Sequence, residues 1–420
     1  MALLRLCVRT VPLIPLFLGV PASAQNAVKL PTEDHVLGGA PAAVYGIGRD
    51  EGRDWELLAR VTQVGFDQND NLYVFDAGTS RLLVFDARGS FVRQIGKKGE
   101  GPGEFANPNG FALLSDGSIV IADNGNYHVY AADGTYRRTA FRPSTGAMIM
   151  VGAGGVTGVF NDRILIRGRP PIPGFRGEPE SPDGTVKVPI QLDALGEAVT
   201  RTTLHEISRT APRVEQQQSG PRGGFVMTRS QARIFEPQIH LQALADAVVV
   251  AHEPAYRLLL LDAAGRTTRI LERPFPARRV TRRDQERARE FERQRLRNTT
   301  MPTVSFSGGG GNVTRSGGGR LSEQQIDEQI RNLLFADEIP LLRRILADPA
   351  GRLWIERTAD DPFANGPIDL VDAADGRYIG TLHGHAMPAA VSRTGRAAWI
   401  LTDELDVQRV EVRQLPAPWR

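Results

Sequence analysis

Seven histidines and 48 acidic residues are the material for chemistry in this 420-residue chain, and few of them are spaced to act together. Neither the paired-histidine helical zinc motif nor the Gly-x-Ser-x-Gly nucleophile elbow occurs. His383-Gly384-His385 sets two imidazoles on one side of an extended segment. With Glu253 or His252 as a further ligand, they would make a divalent-metal centre. Asp76, Asp123 and Asp403 each end an apolar run, and a ring of such carboxylates could hold calcium. The simpler reading is that each accepts backbone N–H groups of its own turn. The single cysteine, Cys7, lies among apolar N-terminal residues, which leaves no disulfide or thiolate site downstream. No catalytic residue is assigned, and no cofactor is expected beyond such a metal.

Charge offers a second kind of chemistry. Lys and Arg total 51 against 48 acids, a formal net charge of +3, and only four of the cations are lysines (Lys29, Lys97, Lys98 and Lys187). A near-neutral chain does not suggest nucleic acid as a partner. The charge is uneven, however: from Arg266 to Arg297 twelve arginines stand against five acids. Thr281–Arg297 is helix-prone, with Thr281 as its N-cap and Glu and Arg at three- and four-residue spacings. Arg287, Arg289, Arg293 and Arg295 are therefore candidate contacts for an anionic partner, such as a phosphate-bearing glycan or a lipid headgroup. A solvated charged helix is the simpler reading. Lys97, Lys98 and Asn109, in a glycine-rich stretch, are further candidate contacts.

The N-terminus predicts where these residues work. Arg5 and Arg9, the apolar stretch Val11–Val20 and Ala22-Ser23-Ala24 before Gln25 form the pattern of a secretory signal over residues 1–24. The apolar stretch is shorter than the roughly 20 residues needed to span a bilayer, and no later segment qualifies. A secreted or periplasmic protein is expected, with no transmembrane segment.

The elements that must position the candidates repeat. A turn of the form Asp/Ala-Ala-x-Gly between apolar strands recurs at Phe85–Gly89, Ala131–Gly134, Leu192–Gly196, Leu261–Gly265 and Asp372–Gly376. Asp bonds its own backbone there, and Gly supplies the positive φ of a tight turn. Gly89 and Gly134 are 45 residues apart, a propeller-blade period. Six units centre on residues 57–95, 108–141, 156–206, 239–273, 341–384 and 386–415. The last has three strands only, and Ala42–Ile47 is expected to supply its fourth. Residues 25–420 thus read as one all-β domain, a six-bladed β-propeller of four-stranded antiparallel blades.

Gly99-Glu-Gly-Pro-Gly-Glu-Phe105, Asn107–Ala112 and Asp116–Asn126 resemble the NHL repeat, and Asn71–Asp86 is similar to its second half. The similarity is specific over 61–135, and the chain also resembles exported six-bladed bacterial propellers. The resemblance implies the fold and the recognition of a protein or ligand, but no particular reaction.

In such a blade, the turns joining strands one to two and three to four share one face of the disc. The other loops and the connections between blades share the opposite face. All long insertions fall on that second face: Arg167–Val186, Ser208–Phe235, residues 274–339 and Asp360–Pro367, whereas opposite turns are read as two to four residues. Within 274–339, Ser305–Arg320 is expected to be a flexible linker. Leu321–Phe335 is expected to be a helix, led by Ser322, whose stripe of Ile326, Ile330, Leu333 and Leu334 packs on the propeller. The innermost strands are read as mostly apolar or small. These features favour a monomeric, non-catalytic binding propeller that recognises a protein or glycan at the cell envelope through its insertion-bearing face. A metal-dependent, lactonase-like hydrolase or lyase at the channel mouth is the alternative.

Overall fold

Apolar pentapeptides such as Leu72–Asp76 and Ile119–Asp123 can bury both faces only in the middle of stacked sheets, and every residue of each is buried. A computed structural model describes residues 26–142, 156–168, 184–210, 213–218, 226–231, 233–307, 312–404 and 406–420. The segment expected to be a secretory signal and most of the expected loop Arg167–Val186 lie outside the described residues.

Six antiparallel sheets follow one another around a ring. Blade one is Val61–Phe66, Leu72–Asp76, Arg81–Phe85 and Phe91–Ile95, and blade two spans Pro108–Leu113 to Tyr136–Phe141. Blade three spans Val156–Phe160 to Val199–Thr210, and blade four His240–Ala243 to Thr267–Glu272. Blade five spans Leu342–Ala347 to Tyr378–Leu382. Blade six holds Ala390–Val391, Arg396–Thr402 and Gln408–Gln414, and its outermost strand is β2, Ala42–Ile47. Ala42 pairs with Gln414 and Ile47 with Val410, so the ring closes with strands from both ends of the chain.

There is no single core. Each of six apolar clusters joins two successive blades, for example Leu258, Leu260 and Leu271 of blade four with Leu353, Ile355 and Val371 of blade five. The cluster between blades six and one unites Val410 and Val412 with Leu72, Val74 and Leu83. Each fully buried aliphatic side chain contributes about 1.5–3 kcal/mol, so the ring is held interface by interface.

The repeated glycines do what the turns require. Gly89, Gly134, Gly265 and Gly376 all have φ between 76° and 87°. At Gly265 an added Cβ would lie 1.8 Å from the Leu204 carbonyl oxygen, so a side chain is excluded as well as strained. On this turn face no blade turn exceeds five residues, slightly longer than the sequence reading.

Blade four has a fifth strand that the repeat does not suggest. β1, Asn26–Lys29, runs parallel to Thr267–Glu272 along its outer edge. The chain then crosses to blade five, where His35 and Leu37 bond the Thr381 backbone, before entering β2.

Candidate functional site

The longest insertion stands on a short stem. Arg278 and Arg279 pair antiparallel with Glu338 and Ile339, and Val280 N–H donates to the Asp337 carbonyl at 3.0 Å. Helix α1, Arg282–Asn298, starts from Thr281, whose hydroxyl accepts from Asp284 N–H while the Asp284 carboxylate accepts from Thr281 N–H. Arg278 ties that helix start to the blade-five loop, donating to Asp284 and to the carbonyls of Ala359 and Asp360. The sequence locates this helix to within a residue.

Two expectations for the insertion are corrected. The glycine-rich run is no linker: Asn312–Arg320 pairs antiparallel with Thr300–Ser307. Thr, Val and Phe in Thr300–Ser307 favour extension, and the glycine-rich partner needs only its backbone to pair. Helix α2, Glu323–Arg331, begins at the expected Ser322 cap. Its buried Ile326 and Ile330 pack against Leu296 of α1, with Leu321 and Leu333, instead of against the ring.

The charge of the basic helix is also largely offset within the molecule. Its seven arginines exceed its four acids by three, and three acids from neighbouring elements sit against it. Arg287 pairs with Asp361, Arg293 with Asp327 and Arg297 with Glu323, at 3.2, 3.2 and 2.9 Å. Arg295 pairs with Glu292, and the Arg289 guanidinium lies 5.1 Å over the Phe335 ring. All four arginines singled out from sequence therefore have partners in the molecule, and several staple the insertion together.

Aromatic contacts complete the platform. Phe291 of α1 stacks on Phe363 of the blade-five loop at 4.4 Å, and Phe363 meets Phe235 of the connection between blades three and four. Phe235 in turn meets Phe335. Phe235 has φ +64°, a left-handed conformation rare for a bulky residue, so the packing around it fixes a strained backbone. Three insertions separated in sequence thus join into one layer on one face.

The other candidates are scattered. Lys97 pairs with Glu104 at 3.2 Å, Lys98 bridges to Phe105 through its backbone, and Asn109 is exposed on the first strand of blade two. A Gly101 N–H and then Lys97 hold the Glu104 carboxyl below its usual value, which folds the loop back on itself. His383 Nε2 lies 3.0 Å from Asp34, His385 packs edge-on against Trp419, and Glu253 pairs with Arg257. The structure does not bring these three together, and among the described residues no group of three or more His, Cys, Asp or Glu is placed to hold a metal.

The strand-ending acids serve the backbone. Burial pushes the Asp76 carboxyl up, but Arg60 N–H, Thr79 hydroxyl, Ala59 N–H and the Arg81 charge hold it below the ordinary range. Asp123 accepts from Ala106 and Asn107 N–H groups, and Asp403 from Val407 N–H. In blades one and two these carboxylates also clamp the chain leading to the first strand.

The sequence missed two clusters. Arg273 and Asp369, both wholly buried, pair at 2.9 Å, and Arg273 also donates to Asp34 and to the carbonyls of Pro31 and Glu33. Arg357 reaches Asp34 and Asp369, which makes a neutral quartet that pins the N-terminal segment to blades four and five. The channel wall is also more polar than expected: Gln63, His240, Gln242 and Arg343 all stand on first strands. The Gln63 amide both donates to and accepts from the Phe111 backbone, which links blades one and two.

The family comparison agrees with this architecture. Residues 51–141 match the DUF5128 family model, described as a 6-bladed beta-propeller. No curated protein matches the chain. A solved structure from Bacteroides fragilis, of a protein thought to be exported, is 12% identical with a TM-score of 0.45, covering 93% of this chain and 99% of its own. A DUF4221 family member from Bacteroides vulgatus is 11% identical with a TM-score of 0.44, covering 91% and 98%. Neither likeness carries a functional argument.

Proposed function

We propose that this chain is exported and acts as a non-catalytic binding propeller, whose insertion-bearing face recognises a protein or glycan partner of the cell envelope. The observation that carries this reading is the asymmetry of the disc. One face has only tight turns, while the other collects α1, α2 and the loops that Phe235, Phe363 and Arg278 knit to them. A rigid ring presenting such a layer preorganises its contacts, which lowers the ordering cost of association. Arg5, Arg9, the short apolar stretch and Ala22-Ser23-Ala24 support export. Among the described residues no helix is long and apolar enough to cross a membrane.

Because the charge of α1 is largely offset within the molecule, Arg287, Arg289, Arg293 and Arg295 contribute to a partner mainly through shape and exposed guanidinium heads. Lys97, Lys98 and Asn109 extend the contact toward blade two. The stem supplies the test, because Val280 and Asp337 are already hydrogen-bonded. Replacing residues 281–336 by an Asn-Gly turn should leave the ring's melting transition within a few degrees and abolish co-purification of the partner from native envelopes. A shortened protein that still brings down the same partner contradicts the reading.

A further inference from the structure

The channel mouth carries a site independent of the insertion. A cavity of about 280 Å3 lies between the first strands of blades four and five and the connection into blade six. His240, Gln242, Arg343, Arg344, Met387 and Ala389 contribute to its lining. His240 and Arg343 stand at the starts of their strands, which places the cavity on the insertion-bearing side of the channel. Arg343 also donates to the Ala364 carbonyl, so the blade-five loop is held beside it.

The charges there do not balance. Glu356 is buried and accepts from Arg344 Nε at 2.5 Å, with Arg343 3.6 Å away and the Gly366 N–H at 3.2 Å. One carboxylate thus serves two guanidiniums, both partly exposed, and among the described residues one positive charge is left without a counterpart. Burial holds the His240 imidazole below its usual value, and the Arg167 charge adds to this against a hydrogen bond with the Leu342 backbone. The imidazole is therefore a neutral polar group at pH 7. Gln242 spends its carbonyl oxygen on Ala347 N–H at 3.2 Å, which fixes the orientation of its amide. Leu346, Met387, Pro388 and Ala389 supply an apolar wall.

We propose that this cavity binds a small organic monoanion, a carboxylate carried on a compact body. A guanidinium pair held by a buried acid is preorganised to donate to a carboxylate, and the partly desolvated setting strengthens that bond. The apolar wall and fixed amide suit the body, and at about 30 Å3 per water the cavity has room for roughly nine waters' worth of ligand. Ring residues line it, so the proposal does not rest on the recognition face.

Isothermal titration of the full mature protein with benzoate, benzamide and inorganic phosphate tests it. Benzoate and benzamide share size and differ in charge, whereas phosphate has the charge without the body. Benzoate should bind one-to-one at millimolar concentration, with the other two at least tenfold weaker. Arg344→Gln should weaken benzoate at least tenfold. Ala389→Trp, which fills the cavity and spares the Glu356 cluster, should abolish benzoate binding without lowering the melting temperature. No benzoate binding, equal binding of benzamide or phosphate, or benzoate binding unchanged in both variants would overturn the proposal.

Discussion

Asp369 and Arg273 show how much of this molecule depends on a few buried charges. Both are fully buried, and their contacts with Asp34 and Arg357 leave no net charge in the group. Removing one partner from such a set typically costs about 3–5 kcal/mol, because another charge is left buried and uncompensated. Asp369→Asn should lose stability of that order in urea denaturation, and a loss under about 1 kcal/mol would show that the quartet does not hold the N-terminal segment. Sequence could not reveal the quartet, since Asp34 lies more than 200 residues before its partners and Arg273 and Asp369 stand in different blades that only the ring brings together. Asp76 was legible as an acceptor of its own turn because Gly78 N–H and the Thr79 hydroxyl are local, whereas Asp123 takes its backbone donors from Ala106 and Asn107, well outside its turn. The scattering of His383, His385 and Glu253 was not legible, because Asp34, Trp419 and Arg257 take them in different directions.

At the scale of elements, the repeat carried most of the information. The Ala-x-Gly turns and the paired apolar strands set the blade number, and the missing fourth strand of blade six pointed to Ala42–Ile47. β1 carries no such signal: Asn-Ala-Val-Lys is too short and too ordinary to announce a parallel fifth strand. Deleting residues 26–48 removes β1, the crossing segment and the closing strand together. The melting temperature should then fall by at least about 10 °C, and a truncated protein that melts like the mature form would refute closure by this segment. In the insertion, the apolar stripe of α2 was legible but its partner was not. Leu296 of α1 takes up that stripe, and the pairs Arg293–Asp327 and Arg297–Glu323 hold the two helices together.

The whole molecule is a disc with two unlike faces. The six interblade clusters make the ring rigid, and the tight-turn face offers a partner little beyond hairpin tips. On the other face, aromatic contacts and ion pairs gather loops from blades three, four and five into one layer beside the channel mouth. The mature exported protein should begin at Gln25, which N-terminal sequencing reads directly. The central claim, that this layer is where a partner binds, is tested most directly by photo-crosslinking in the native envelope. A photoreactive residue is placed singly at exposed positions 283 and 328 on the layer, and at 88, 133 and 264 on the tight-turn face. Discrete crosslinked species should arise from 283 or 328 and from none of the others. Crosslinks confined to 88, 133 or 264 would contradict it.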